Sequence, residues 1–176
     1  LEEDLERLIK LKEVFKKVKE MGLSVSFDPQ WDPDEKWEMR LNEILPYVDV
    51  FLPNETEIKN LTDTKSLNEA LQKISGFANI VAVKAGNKGS YLYNKGQLNH
   101  MGPFLNEKVV DAIGAGDSFN AGFIYGYVNG FRLNKCQELA NLAGAISTTG
   151  AGGTSAFSSR DEFNYKAKEM FNVTPL

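Results

Sequence analysis

Cysteine and histidine are almost absent from this chain, which has one of each, Cys136 and His100. A lone thiol excludes an internal disulfide and fits a reducing compartment, so a cytoplasmic location is expected. With one Cys and one His, a zinc site would have to lean on carboxylates, which argues against zinc. A hard cation held by oxygen ligands stays open. No apolar run is long enough to span a membrane, and no basic-then-apolar segment resembles a signal peptide. There is no basic excess either: 20 Lys and Arg against 24 Asp and Glu give a formal net charge of -4. That balance offers no electrostatic footprint for nucleic acid. Internal repeats, low-complexity tracts and linkers are also lacking.

What is there reads as one α/β domain over residues 1–176, with enough chain for a sizeable core. Leu5, Leu8, Leu11, Phe15 and Val18 recur at helical spacing and predict an amphipathic helix ending near Gly22. Glu2, Glu3, Asp4 and Glu6 form its solvated first turn. Strands are expected at 23–27, 48–52, 80–83, 90–93 and 97–101, with a last short one at 108–110. Helices are expected at 35–45, 54–61 and 66–75, from 115 to 128, from 134 to 148, and from Ser159 or Asp161 toward Phe171. Ser66 and Asn134 are candidate N-caps. Early alternation of strand and helix argues for a mainly parallel sheet covered on both faces, with an antiparallel piece near 88–101 at one side.

The sharpest chemical feature is the run Val110-Asp111-Ala112-Ile113-Gly114-Ala115-Gly116-Asp117-Ser118-Phe119. Two glycines flank an alanine, an aspartate follows, and a helix begins. Glycines let backbone amides approach a ligand closely. A helix start leaves amides unpaired and adds a positive dipole end, which together suit a phosphate. Asp117 falls in the first turn, where the dipole favours its ionised form. Such a carboxylate can accept a proton from an attacking hydroxyl or help hold a metal. Residue physics alone also accommodates a helix N-terminus with a capping aspartate and packing glycines.

The stretch from Asp111 through Phe123 resembles the C-terminal signature of the ribokinase-like carbohydrate kinases, the PfkB family, which reads D-T-x-G-A-G-D-x-F-x-x-G. Only Ala112 departs, where threonine is usual. The resemblance implies a ribokinase-like three-layer αβα fold and ATP-dependent phosphoryl transfer to a hydroxyl of a sugar or sugar-like substrate. A nucleoside or vitamin kinase of the same fold and a non-catalytic nucleotide- or sugar-binding module are the alternatives. It implies that Gly114, Ala115 and Gly116 form an anion hole and that Asp117 is the base.

Other segments gain roles from the same resemblance. Pro53-Asn54-Glu55-Thr56-Glu57 is similar to the family's N-x-x-E motif, so Asn54 and Glu57 would help place Mg²⁺ through water. As bare residues they also fit an ordinary helix cap. Lys84, Gly86 and Gly89 fall in a strand and turn that border the nucleotide in the family, and Asn141 and Ala145 would neighbour the adenine. Asp111 and Ile113 would supply oxygens to a monovalent cation such as K⁺, although the 148–154 loop lacks the basic residue often found there. Trp31 and Trp37 flank an acidic loop similar to a family D-P-N segment, with Gln30 and Asp32 replacing the common choices; neither Trp is assigned to sugar. His100 suits a surface or pairing role and Cys136 a packing one.

The first residue is Leu1, and the resemblance covers only the C-terminal part of a family member. The expectation is therefore a catalytic, nucleotide-binding portion whose N-terminal part and lid are absent, and which would be inefficient alone, with a homodimer conceivable.

Overall fold

The computed structural model describes residues 2–30 and 32–175, and the side chains of residues 2–5 and 7 are outside it. Trp31, and the first-turn side chains of Glu2, Glu3 and Asp4, therefore lie outside the described residues, whereas Glu6 is exposed. The chain forms two compact units, residues 1–83 with 93–99, and residues 84–92 with 100–176.

In the first unit, α1 (Glu2–Glu20) leads to β1 (Ser26–Phe27), α2 (Leu41–Ile44), a 3-10 turn (Leu45–Tyr47) and β2 (Val50–Phe51). Next come α3 (Glu55–Thr62), α4 (Leu67–Ile74) and β3 (Ile80–Lys84), whose last residue, Lys84, belongs to the second unit. β1 and β2 pair in parallel with Phe27 opposite Phe51, and β2 pairs in parallel with β3 with Phe51 opposite Val81. The parallel register stacks Phe27 on Phe51 at 5.7 Å, with Phe15 of α1 edge-on to Phe27 at 5.8 Å. Asp49 ties α1 to β1, accepting from Lys19 Nζ and from the Val25 N–H, each at 2.7 Å. The hairpin β4 (Ser90–Asn94) and β5 (Gln97–Met101) turns on Lys95-Gly96, and the strands follow the order β1-β2-β3-β4-β5.

Three local expectations are corrected. Residues 35–40 are not helical, and α2 is confined to Leu41–Ile44. The cause is Asp32, whose carboxylate accepts from the Asp34 N–H at 3.0 Å and the Trp37 N–H at 2.7 Å. Glu35 and Trp37 take positive φ as the chain wraps around it, a local alternative to helical hydrogen bonding. Residues 108–110 form no strand; Val109 and Val110 are exposed, and the Val110 and Asp111 N–H groups both donate to the Thr148 carbonyl. Asn134 does not cap its helix: α6 starts one residue earlier, at Leu133, behind Arg132, with no side-chain cap. The Asn134 Oδ1 accepts instead from the Lys135 N–H.

The Asp32 turn carries a pH prediction. The Trp37 N–H, then those of Asp34 and Lys36, hold the Asp32 carboxyl below its ordinary value against some desolvation. A depressed folded pKa means the bonding is intact above the ordinary carboxylate value and is lost as pH falls through the lowered one. Tryptophan emission should therefore hold steady from pH 7 to pH 5 and change only below about pH 4. Asp32→Asn should show the acid-side spectrum at neutral pH, and identical spectra at pH 7 would refute the role of the carboxylate.

The second unit is built on α5 (Ala115–Val128), α6 (Leu133–Ser147) and α7 (Arg160–Phe171). Its core gathers Leu139, Leu142, Ala143, Ile146, Ala156, Phe163 and Ala167. Ser159 caps α7 by accepting from the Glu162 N–H. α5 and α6 approach backbone to backbone. A Cβ on Gly122 would sit 2.6 Å from the Leu139 carbonyl oxygen, and one on Gly126 3.0 Å from Cys136 Sγ. Cys136 is buried in this seam, a packing role, with burial pushing its thiol pKa up.

Candidate active site

The site grows from the start of α5. The segment before it is fixed by Asp111, whose carboxylate accepts from the Ile113 N–H at 2.9 Å and, across to the glycine-rich loop, from the Gly152 N–H at 3.0 Å. These two amides, Ile113 first, hold the Asp111 carboxyl below its ordinary value, with desolvation opposing. Gly114 then turns the chain into the helix at φ 74°, a left-handed value that suits glycine. It also abuts the other loop: a Cβ on Gly114 would lie 2.8 Å from Gly153 Cα. The Ile113 side chain is exposed, while its carbonyl oxygen faces Gly153, 2.9 Å from where a Cβ would stand.

The N-terminus of α5 differs chemically from those of α3, α4 and α7. Those three are closed by the side chains of Asn54, Ser66 and Ser159. Gly114 has no side chain, and no side chain caps α5. The Ala115 N–H donates to the Ala112 carbonyl and the Ser118 N–H to that of Gly114. Between them lie Gly116 and Asp117, at the helix positions whose amides have no acceptor within the helix, and both residues are exposed. Asp117 places a carboxylate at the same helix end.

Lys84, the last residue of β3, brings a cation to this point. Its Nζ lies 3.4 Å from Asn120 Oδ1. Its chain runs beside Gly116, where a Cβ would meet Lys84 Cδ at 3.7 Å, an ordinary contact. From here a cleft of about 460 Å³ opens, lined by Lys84, Gly86, Gly89, Ala115, Gly116, Asn141, Gly144 and Ala145, with Phe104 and Val109 among its apolar surfaces. All five residues expected near a nucleotide thus share one cavity. Gly89 is there for packing as well, since its Cβ would collide with the Met101 carbonyl oxygen at 2.1 Å. Asn141 Nδ2 donates to the Gly102 carbonyl and Asn106 Nδ2 to Thr148 Oγ1, which pin the 102–106 segment along the rim.

Asn54 and Glu57 belong to the first unit. They form a reciprocal capping box on α3: the Asn54 N–H donates to Glu57 Oε2 at 2.7 Å and the Glu57 N–H to Asn54 Oδ1 at 2.8 Å. His100 has the pairing role expected of it, with Nε2 2.8 Å from the Lys88 carbonyl and its ring 4.6 Å from that of Tyr91. Among the described residues, no group of three or more His, Cys, Asp or Glu is placed to hold a metal. Sequence reasoning missed Asn106, Asn120, Gly144 and Thr148. Only Asn120 left a signal, as an amide between Phe119 and Phe123 on the buried side of a helix.

The model of the pfkB family carbohydrate kinases matches residues 5–160. An uncharacterized sugar kinase of Archaeoglobus fulgidus is 38% identical over 130 residues, 74% of this chain and 52% of that protein. Among solved structures, Arabidopsis thaliana ribokinase complexed with ribose and ATP superposes with a TM-score of 0.75 at 29% identity, over 87% of this chain and 50% of that one. A fructokinase double mutant from Vibrio cholerae O395, bound to fructose, ADP and potassium ion, gives 0.73 at 27% identity, over 85% and 52%. The fold is ribokinase-like, a mainly parallel sheet with helices. The chain spans about half the length of the curated relatives it matches. It belongs to the pfkB family of carbohydrate kinases.

Proposed function

We propose that the protein containing this chain transfers the terminal phosphoryl group of ATP to a hydroxyl of a sugar or sugar-like alcohol. The observation that carries this reading is the uncapped N-terminus of α5, with Lys84 beside it, Asp117 in its first turn and the cleft opening from it. Exposed helix amides and an ammonium suit a transferring phosphoryl group, whose charge they stabilise. Asp117 accepts the proton of the attacking hydroxyl, that oxygen bonds to the γ-phosphorus, and the bond to the ADP oxygen breaks. Gly114, Ala115 and Gly116 form the anion hole, Gly114 through its left-handed turn and Gly116 through its exposed amide.

The cleft takes the nucleotide, with Lys84 and Gly86 at its phosphate end, Gly89 in its wall and Asn141 and Ala145 toward the base. Magnesium would neutralise charge on the phosphates. Asn54 and Glu57 already accept backbone N–H groups in their capping box, which fits contact with a magnesium ion through its water shell. A potassium ion would find the Asp111 carboxylate and the Ile113 carbonyl together beside the glycine-rich loop, a reading supported by the potassium-bound fructokinase. Contacts that select the sugar belong to the half of the relatives' length that this chain does not span.

The test is ADP release by the full-length protein with MgATP and a panel of ribose, fructose, other sugars and nucleosides. A sugar that accelerates ADP release and appears phosphorylated by mass supports the proposal. Turnover confined to nucleosides redirects it to a nucleoside kinase, and no turnover with any hydroxyl substrate overturns it.

A further inference from the structure

The polar side chains of the cleft are largely committed to the protein itself. Asn106 uses both ends of its amide: Nδ2 donates to Thr148 Oγ1 at 3.0 Å, and Oδ1 accepts from the Lys108 N–H at 2.8 Å. Thr148 in turn donates its hydroxyl proton to the Ala145 carbonyl at 2.7 Å. Asn141, only 7% exposed, donates to the Gly102 carbonyl at 3.3 Å, and that carbonyl fixes this end of the amide as the nitrogen. What Asn141 keeps is an acceptor, Oδ1. Asn87, the remaining amide of the lining, stands with Gly86 on the turn that follows Lys84, at the end assigned to the phosphates.

The apolar side chains do the reverse. Leu105 is 69% exposed and Val109 58%, although both line the cleft. Two large apolar groups left in water within a concavity call for an apolar ligand surface. Gly144 and Ala145 of α6 line the same cavity, and with a single methyl group between them they leave it open to a flat ring. We propose that the cleft grips a purine by its faces rather than its edge, so that adenine, guanine and hypoxanthine nucleotides all serve as phosphoryl donors. Asn141 Oδ1 does not separate these bases, because each carries an N–H donor on its edge: an amino group on adenine, a ring N–H on guanine and hypoxanthine. Strong rejection of a wrong base needs buried polar groups that it leaves unpaired. Asn106 and Thr148 are already paired within the protein, so a change of base costs them nothing. The inference rests on the reading of this cleft as the nucleotide site.

The experiment is titration calorimetry of ADP, GDP and IDP on the full-length protein and its Leu105→Ala variant, with thermal unfolding as a check on folding. The three affinities for the unsubstituted protein should agree within about tenfold. Leu105→Ala removes part of the apolar wall and should weaken all three by a similar factor, about threefold to tenfold. If ADP binds and GDP or IDP is weaker by more than about tenfold, a backbone group reads the edge; the inference then fails and the nucleotide reading stands. If none of the three binds, both fall. Unchanged affinities in Leu105→Ala, or loss of one nucleotide alone, also overturn the grip by faces. Should Leu105→Ala fail to fold, Val109→Ala decides by the same comparison.

Discussion

Asp117→Asn in the full-length protein should lower kcat by roughly 10²–10⁴-fold, the range a positioned general base contributes. ADP affinity should change by no more than a few-fold. The two expectations separate because the carboxylate and the phosphate-binding amides are different atoms of one helix turn. Asparagine keeps the shape and the backbone but cannot take the hydroxyl proton. The substitution leaves the core alone, since Asp117 is exposed. Its structural cost is limited to the interaction of an acidic first-turn residue with the helix dipole, about 0.3–1 kcal/mol. Steady-state kinetics with ADP titration check both halves. Retained turnover removes Asp117 as base, and a joint collapse of turnover and ADP affinity makes it a binding residue.

Gly89→Ala should be the most destabilising single-methyl change in the second unit. Gly89 sits at φ 88°, ψ -125°, outside the regions that residues with a side chain adopt. Its added methyl would fall 2.1 Å from the Met101 oxygen, 2.6 Å from the Gly102 carbonyl carbon and 2.8 Å from the Pro103 nitrogen. All three are backbone atoms, so no side chain can swing aside. Backbone strain of about 1–3 kcal/mol and overpacking of about 1–3 kcal/mol together give a loss of roughly 2–6 kcal/mol. For a chain of this size that is a fall in Tm of about 5–20 °C. Gly86→Ala is the control: φ is again positive, at 56°, but nothing lies within 4 Å of the new methyl. It should cost only about 1 kcal/mol. Calorimetric melting of both variants checks the contrast, and equal melting temperatures would refute the packing argument.

The sequence was most legible where local chemistry and the family signature coincide. The residue pattern predicts a helix from 115 to 128, and α5 occupies Ala115–Val128. Ser66 with Glu69, and Asn54 with Glu57, give capping boxes where the spacing predicts helix starts. Legibility failed where one distant or competing acceptor decides the backbone. The pair Val109-Val110 has strand propensity, but the Val110 and Asp111 N–H groups both meet a single carbonyl, that of Thr148. Residues 35–40 carry helix formers, but the Asp32 carboxylate takes the Trp37 N–H first. In the site, Lys84, Gly86, Gly89, Asn141 and Ala145 come from separate stretches, and the family resemblance drew them together where spacing alone had nothing to offer. Asn120 escaped because its partner, Lys84, is 36 residues away.

The seam between α5 and α6 has a mechanical consequence. Gly122 brings the two helices into backbone contact at Leu139 and Ala140, and Gly126 leaves room only for Cys136. One helix lines the cleft at Gly116, and the other lines it at Asn141, Gly144 and Ala145. The span between the two ends is set by dovetailed backbones, as in a fixed-jaw caliper. The cleft cannot widen by sliding these helices apart without opening a void along the core. Breathing room for a ligand has to come from the 102–110 segment, which belongs to no helix or strand beyond Met101 and is moored by Asn141 and Thr148.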